Sequence, residues 1–414
     1  MRDTEDRVRG VSIPAAGIEL PGGTRVHGIV GAGYGAIFDA FVANFVERGD
    51  LGAACAVFVQ GEPVVDLWGG IADRVAARPW AADTSAVIFS CSKGLLAICA
   101  YLLVQEGRLD LDRPVAEYWP AFAAHGKGAI TVRQAMSHRA GLAALDSDLT
   151  REEVLAWDPV IRALEAQRPL YAPSAGHLYH AMTSGWLVGE TIRRITGLTP
   201  GKYFRRAVGD RLGLATWIGI PEEARSTAAR MEPPLPDEDT PQAREAARLA
   251  EGNTVVERSL SMGGAFAFPA EGDYVTFNDP AIQAAEIPAA NGISTARSLA
   301  NLYSACVRCN GEPPLLERSS IDDALRVMAS GPQLSGLPDD GARWGTGFQI
   351  SSPPSQPMLG PSSFGHAGAG GQLGFADAAH GVGFAYLSNQ MGGYGDARAR
   401  ELTNALAACL GSRP

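Results

Sequence analysis

The chain has 414 residues, of which 46% are hydrophobic and 19% charged, enough for one large or two modest domains with a substantial core. Its net charge of -10 at pH 7 argues against nucleic acid or an anionic membrane surface as the main partner. No stretch of about 18 uncharged apolar residues predicts a membrane span, and the first residues carry no apolar core of signal-peptide length.

Predicted strands occupy both ends of the chain, and predicted helices fill much of its middle. Residues 36–48 place apolar side chains at helical spacing, and Gly49 is a plausible stop. The runs AACAVFVQ and PVVDLWGG flank Gly61-Glu62 and predict a β-hairpin. Further helices are predicted at 151–167, 182–196 and 295–308. Strand-like sequence returns in WGTGFQIS, FGHAGAGGQLGFAD and GVGFAYLSNQ, and a last helix is predicted at ARARELTNALAACLG.

This order predicts an α/β (α+β) fold with a largely antiparallel sheet, flanked by helices, and an inserted all-helical domain. The sheet domain is assigned residues 1–109 and 285–414, and the inserted domain residues 110–284. Within the insertion, the acidic, proline-bearing stretch 221–252 indicates a surface excursion or lid rather than core. The active site is expected in the cleft between the two domains.

The segment IFSCSKGLLAICAYLLVQEG places a lysine in an otherwise apolar helix. The chain has three lysines, Lys93, Lys127 and Lys202, so 35 basic residues less three leaves 32 arginines. Positions 90 and 93 share a helix face, so the Ser90 hydroxyl and the Lys93 amine are expected side by side. Burial lowers a lysine pKa, and a neutral amine can take a serine proton, which arginine cannot do. The alternative is a capping serine beside a lysine that reaches solvent.

Two later stretches carry further polar groups. PSAGHLYHAMTSGW places Tyr179 in a loop before an apolar helix, and FGHAGAGGQ places His366 before a glycine cluster. The order S-x-x-K, tyrosine, H-x-G resembles that of the serine β-lactamase and penicillin-binding-protein superfamily. The segments VVDLWGGIADR, LDLDRPVAEYWPAF, TVRQAMSHRAGL and IPAANGISTARSLANLYSA resemble class C β-lactamase-like proteins and family VIII carboxylesterases. The resemblance covers nearly the whole chain.

The resemblance implies a β-lactamase/transpeptidase-like fold and a role for each matching residue. Ser90 would be the acylated nucleophile and Lys93 its base and orienting amine. Tyr179 would carry a second proton and return it to the leaving group.

The third motif supplies the remaining implied roles. His366 stands where the β-lactamases have a lysine and, with Gly368, would position the substrate. The backbone N–H groups of Ser90 and Ala369 would form the oxyanion hole. Two departures matter: Ala181 replaces the usual asparagine, and a histidine holds a carboxylate weakly near neutral pH. An ordinary histidine pKa of about 6.5 also predicts an activity change near that pH.

These residues predict a serine hydrolase that acts on short-chain or otherwise accessible carboxylic esters through an acyl-enzyme. Neither a metal nor a cofactor is expected, and β-lactamase activity should be weak or absent. One alternative is an acyltransferase or transesterase in a biosynthetic pathway, which shares the acyl-enzyme and differs in its acceptor. The other is a non-catalytic binding protein on the same fold. The expected partner is a small-molecule ester or acyl substrate, and the oligomeric state stays open.

Other motifs are less informative. Cys306 and Cys309 form a lone CxxC, and most of the six cysteines lie in apolar stretches, which favours a reduced, cytoplasmic setting. IVGAGYGAIFDAF contains G-x-G-x-x-A, but the apolar run before it is short and no acidic residue follows about 20 positions on. A glycine-rich turn before a helix explains that segment. Neither G-x-S-x-G nor HExxH occurs in the chain.

Overall fold

The computed structural model describes residues 11–13, 16–173, 175–235, 254–266, 276–309, 311–336, 339–352, 358–393 and 395–411. Its α-helices are α1 (Gly35–Glu47), α2 (Ser92–Gln105), α3 (Val115–Tyr118), α4 (Val132–Met136), α5 (Arg151–Leu155), α6 (Asp158–Ala166), α7 (Thr183–Thr196), α8 (Pro200–Phe204), α9 (Thr254–Ser261), α10 (Pro280–Ala284), α11 (Ala296–Val307), α12 (Arg318–Ala324) and α13 (Arg398–Gly411). Its strands are β1 (Val11–Ser12), β2 (Ile18–Glu19), β3 (Arg25–Val30), β4 (Gly52–Val59), β5 (Glu62–Asp73), β6 (Arg78–Pro79), β7 (Ala86–Phe89), β8 (Thr216–Ile218), β9 (Gly292–Ser294), β10 (Ala329–Ser330), β11 (Arg343–Trp344), β12 (Gln349–Ile350), β13 (Ser363–Ala367), β14 (Leu373–Asp377) and β15 (Val382–Ser388).

Strands from both chain ends form one large antiparallel sheet. Its order is β1-β3-β5-β4-β15-β14-β13-β12-β11-β10, with β2 on β3 and β6 on β5. In its middle, β4 pairs with β15 from Ala53↔Ser388 to Val59↔Val382. Strands β7, β9 and β8 form a second, three-stranded sheet. The predicted fold class is therefore confirmed, while the division into 1–109 with 285–414 and 110–284 stays a proposal.

Strand β4 explains why the sheet has helices on both faces. Successive side chains of a strand point to opposite sides. Ala56 and Phe58 lie in the core that also contains residues of α2 and α11. Cys55 and Val57 lie in the core that contains residues of α1 and α13. An apolar run without polar alternation thus forms a strand that is buried on both faces.

Several local predictions are confirmed. The predicted hairpin joins β4 to β5, and its turn residues Gln60 and Gly61 both have positive φ, as a tight hairpin turn requires. The helix predicted at 36–48 is α1. The helical stretch 151–167 is two helices, because the backbone at Trp157 has a φ of 67° between α5 and α6.

The predicted excursion 221–252 is only partly within the described residues. Residues 236–252 lie outside them, and Glu222–Thr227 forms a 3-10 turn. After this turn, Ala229 and Met231 are buried in the core rather than exposed. The assignment of the whole stretch as a lid stays a prediction. No helix in the described part of the chain combines the length and hydropathy that a bilayer-spanning segment needs.

A buried ionic network joins α13 to the sheet. Arg398 Nη1 donates to Asp50 Oδ1 at 2.6 Å, and the two side chains are 2% and 0% exposed. Tyr386 and Ser388 of β15 donate to the same carboxylate. Arg398 Nη2 donates to the carbonyl of Gly370, in the turn after β13. The network therefore fixes the turn that contains the predicted oxyanion-hole residue.

Replacing the buried cation should destabilise the whole fold. In Arg398→Met, Asp50 keeps its burial but loses its guanidinium partner, so the free energy of unfolding should fall by about 3–5 kcal/mol. Urea denaturation of the wild type and the variant measures this loss. Arg113→Met is the matched control, because the Arg113–Glu117 pair is exposed to solvent and should contribute little to stability. Equal losses in the two variants would contradict the buried network as a determinant of stability.

Candidate active site

Ser90 lies at the junction between β7 and α2. The preceding residue, Phe89, has a φ of 44°, a strained conformation for a residue other than glycine. The Lys93 N–H donates to the Ser90 carbonyl at 3.0 Å, and regular helix begins at Ser92. Position 94 requires glycine, because a Cβ there would overlap the hydroxyl of Tyr303. This turn leaves the Ser90 side chain half-buried at the helix end.

The Lys93 amine is buried among uncharged acceptors. Nζ lies 2.7 Å from the Ala181 carbonyl, 3.0 Å from the Ala289 carbonyl and 3.2 Å from Ser90 Oγ. Burial lowers the lysine pKa to about 7. A neutral amine has two N–H groups and one lone pair, so the two carbonyls take both donors. The lone pair is left for the Ser90 hydroxyl proton, which is the arrangement that a general base requires.

Tyr179 contacts the same serine oxygen. Its Oη donates to Ser90 Oγ at 2.8 Å, and its ring centre lies 4.9 Å from Lys93 Nζ. Burial raises the pKa of the phenol, so the side chain keeps its proton near neutral pH. The structure thus brings Ser90, Lys93 and Tyr179 together around one oxygen atom, as the sequence predicted. Their catalytic roles stay predictions.

The backbone around Tyr179 is held by two polar side chains. The Tyr179 N–H donates to Gln333 Oε1 at 2.8 Å, and Ser259 Oγ of α9 donates to the Tyr179 carbonyl at 3.2 Å. Ser259 also accepts from the N–H of Ala181. His180 is buried with both ring nitrogens bonded to backbone groups. The loop that carries the phenol and one of the lysine-binding carbonyls is therefore pinned on several sides.

His366 lies on β13, where it is 2% exposed. Its Nδ1 is 2.6 Å from the Ala367 carbonyl, so Nδ1 carries the proton and Nε2 is an acceptor. Among the described residues Nε2 has no hydrogen-bond partner. Burial, with a smaller effect from Lys93, lowers the pKa of His366 to about 3. The side chain is therefore neutral at physiological pH, and the predicted activity change near pH 6.5 from its titration is wrong.

The turn after β13 lies close to the nucleophile candidate. A Cβ on Gly368 would overlap the Ile88 carbonyl of β7, so only glycine allows this approach. The Gly368 N–H donates to the Gln372 carbonyl at 2.7 Å, which closes the turn that contains Ala369. This packing supports an oxyanion hole made by the N–H groups of Ser90 and Ala369, which stays a prediction.

Sequence reasoning missed an aromatic cage around Tyr179. Trp344 of β11 stacks on the phenol ring at 5.0 Å, and His138 meets Tyr179 edge-on at 4.8 Å and Trp344 at 4.6 Å. Burial lowers the pKa of His138 well below its ordinary value. His138 lies in the TVRQAMSHRAGL segment, and the family resemblance of that segment was the sequence signal that could have identified it. Nothing in the spacing connects it or Trp344 with Tyr179.

Comparisons with known proteins found proteins of similar sequence and similar fold. The chain matches the Beta-lactamase family over residues 38–408. It is 34% identical over 378 residues to the esterase/β-lactamase LipL of Mycobacterium tuberculosis, covering 89% of this chain and 84% of that protein. A family VIII carboxylesterase structure superposes with a TM-score of 0.80 at 32% identity, over 93% of this chain and 100% of that one. A penicillin-binding-protein homologue from Caulobacter crescentus superposes at 0.79, with 33% identity, over 93% and 99% of the two chains.

The geometry predicts a serine whose reactivity depends on pH. Raising the pH through about 7 leaves the Lys93 amine neutral, so the rate of Ser90 labelling by a fluorophosphonate should rise and then level off. Intact-mass analysis of timed samples measures this rate. Lys93→Met should abolish the rise, whereas Lys202→Met, at an exposed lysine, should preserve it. A flat profile from pH 6 to 8.5, or an adduct that persists in Ser90→Ala, would contradict the assignment.

Proposed function

The chain belongs to the β-lactamase family, and we propose that it is a serine hydrolase that cleaves carboxylic esters through an acyl-enzyme. The observation that carries this proposal is the Ser90 hydroxyl held between the buried Lys93 amine and the Tyr179 phenol, at 3.2 and 2.8 Å. The names of an esterase/β-lactamase and a family VIII carboxylesterase among its relatives support the ester as substrate. A non-catalytic binding protein would need neither the amine nor the phenol beside this serine.

Acylation begins with attack of Ser90 Oγ on the ester carbonyl carbon. The hydroxyl proton passes to the Lys93 lone pair, which forms the ammonium. The carbonyl oxygen becomes an oxyanion that the N–H groups of Ser90 and Ala369 stabilise. A donor of this kind typically contributes about 3 kcal/mol to the lowering of the barrier.

Collapse of the tetrahedral intermediate breaks the bond to the alcohol oxygen. Tyr179 donates its proton to the leaving alkoxide and is reprotonated at the expense of the Lys93 ammonium. Water then attacks the acyl-enzyme, its proton returns to the amine and phenol pair, and Ser90 Oγ leaves protonated with release of the acid. Each group ends the cycle in its starting state.

The site favours an uncharged substrate. His366 offers an acceptor, not a cation, because burial lowers its pKa to about 3 and the Nδ1 contact with the Ala367 carbonyl leaves Nε2 as the unprotonated nitrogen. Ala181 has no polar side chain to bind an amide. A carboxylate-bearing β-lactam therefore finds neither the charge nor the amide partner that its recognition needs. Neutral, short-chain esters are the substrate class that this lining fits, with weak or no β-lactamase activity.

Removing the amine should strongly reduce turnover without unfolding the protein. In Lys93→Ala, kcat/KM for p-nitrophenyl butyrate should fall by about 10²–10⁴, the usual contribution of a general base. Steady-state kinetics measures this loss, circular dichroism checks the fold, and Lys202→Ala is the matched control. Near-normal turnover in Lys93→Ala would contradict the mechanism. The products formed with added short alcohols separate hydrolysis, which yields the acid, from acyl transfer, which yields a new ester.

A second experiment tests the uncharged His366. Wild-type enzyme should prefer p-nitrophenyl butyrate over the anionic p-nitrophenyl hemisuccinate by a ratio of kcat/KM values that stays constant from pH 5.5 to 8.5. The reason is that a histidine with a pKa of about 3 gains no proton in this window. In His366→Gln, kcat/KM should fall for both esters. The rise in rate near pH 7 that comes from deprotonation of Lys93 should remain. A gain in hemisuccinate turnover relative to butyrate below pH 6.5 that is lost in His366→Gln would show that His366, and not Lys93, becomes a cation there.

A further inference from the structure

Two buried histidines join the loop of Tyr179, residues 177–182, to the segment 138–142 that follows α4. The N–H of His180 donates to Nδ1 of His138 at 3.2 Å. In the opposite direction, the N–H of Leu142 donates to Nε2 of His180 at 3.1 Å. The two side chains are 4% and 0% exposed. Each ring of this histidine pair thus accepts a hydrogen bond from the backbone of the other segment.

The histidine pair lies next to two groups that contact the catalytic centre. Tyr179, whose hydroxyl donates to the candidate nucleophile, directly precedes His180 in the chain. Ala181, whose carbonyl accepts from Lys93, directly follows it. His138 also packs edge-on against the Tyr179 ring at 4.8 Å. A displacement of His180 would therefore move both the phenol and one of the carbonyls that hold the amine.

Both hydrogen bonds require an unprotonated ring nitrogen. His180 Nδ1 lies 2.6 Å from the Leu178 carbonyl and carries the proton of the neutral ring, so Nε2 is the acceptor. A proton on either acceptor nitrogen would turn an N–H toward a backbone N–H and remove the bond. Within the described residues, the titratable groups that face the two rings include no carboxylate; they are Lys93 of α2, His366 of β13, and His177 and Tyr179 of the loop.

The energetic consequence is that acid favours separation of the two segments. Burial lowers the pKa of His180 to about 4 and that of His138 well below its ordinary value. A histidine released to solvent has a pKa of about 6.5, so protons bind the open state first. The contact is therefore fully stable above about pH 6.5 and loses stability as the pH falls toward 4. For His180 alone, these two pKa values make opening about 30-fold more favourable at pH 5 than at pH 7.5.

We propose that His138 and His180 are positioning residues that keep the ester site assembled only while both rings are neutral. The effect on turnover rests on the proposed function, whereas the acid-driven opening does not. When the segments separate, the phenol and one lysine-binding carbonyl move away from Ser90, while the core of the large sheet stays folded. The site is thereby lost in acid by a route that is separate from protonation of Lys93.

Hydrogen exchange followed by mass spectrometry tests the opening on the full chain without substrate. Between pH 7.5 and 5.0, protection of peptides covering 139–145 and 177–183, corrected for intrinsic exchange rates, should fall by about tenfold or more in the wild type. Peptides of β4 and β15 should keep their protection.

A variant pair separates titration from structure. In His138→Asn/His180→Gln, amide oxygens replace the two acceptor nitrogens and gain no proton in this range, so the fall should be less than about threefold. Asparagine also suits position 138, where φ is 62°. The control His125→Asn/His380→Gln removes two exposed imidazoles outside the histidine pair and should behave like the wild type.

Turnover at pH 7.5 tests the positioning role. His180→Leu removes the acceptor, so kcat/KM for p-nitrophenyl butyrate should fall by about tenfold or more, with an unchanged circular dichroism spectrum. His180→Gln restores an acceptor and should recover kcat/KM to within about threefold of the wild type.

Three results would overturn the proposal. Wild-type protection that is unchanged at pH 5.0, or that falls equally in His138→Asn/His180→Gln, would show that the rings do not control the contact. An equal fall in β4 and β15 would show global unfolding instead of local opening. Wild-type turnover in His180→Leu would remove the positioning role. If the wild type cleaved no ester, the exchange result would still stand, so the two proposals fail separately.

Discussion

The catalytic geometry depends on one uncharged amine. A buried ammonium is unfavourable unless it is paired, and Lys93 contacts two carbonyls and a hydroxyl rather than a carboxylate. Burial is the largest influence on its pKa, and the groups that shift that pKa include no carboxylate. A carboxylate beside Nζ would hold the proton on the amine and leave no lone pair for Ser90. The composition of the lysine environment, more than the lysine itself, makes the serine reactive.

That environment requires distant parts of the chain to meet. One carbonyl comes from Ala181, just after Tyr179, and the other from Ala289, close to β9. The phenol is held by the Trp344 ring from β11, near one edge of the large sheet, and by Gln333 from a loop. Because β4 pairs with β15 at the sheet centre, the segments before and after the middle of the chain are brought to the same helix end. The site can form only after these long-range contacts are made.

This dependence explains what the sequence could and could not predict. The β4–β5 hairpin and the Ser90–Lys93 pair follow from spacing over a few residues, and they are present as predicted. The carbonyls at Ala181 and Ala289 carry no signal, because every residue has a carbonyl and only the fold decides where it points. The titration of His366 was mispredicted for a related reason. Its pKa is lowered mainly by burial and to a smaller extent by Lys93, and neither the burial nor the neighbour can be read from residue type.

The uncharged states of His366 and of the Lys93 amine also affect how the product is held. An ester is uncharged, whereas the acid released at neutral pH loses its proton and becomes a carboxylate. In a lining of a neutral histidine, a phenol and an amine with a pKa near 7, that anion meets little compensating charge once the amine is unprotonated. Desolvation therefore disfavours the product more than the substrate and promotes release. A site built to hold a carboxylate with a permanent cation would lose this advantage, which is a physical reason for the histidine at position 366.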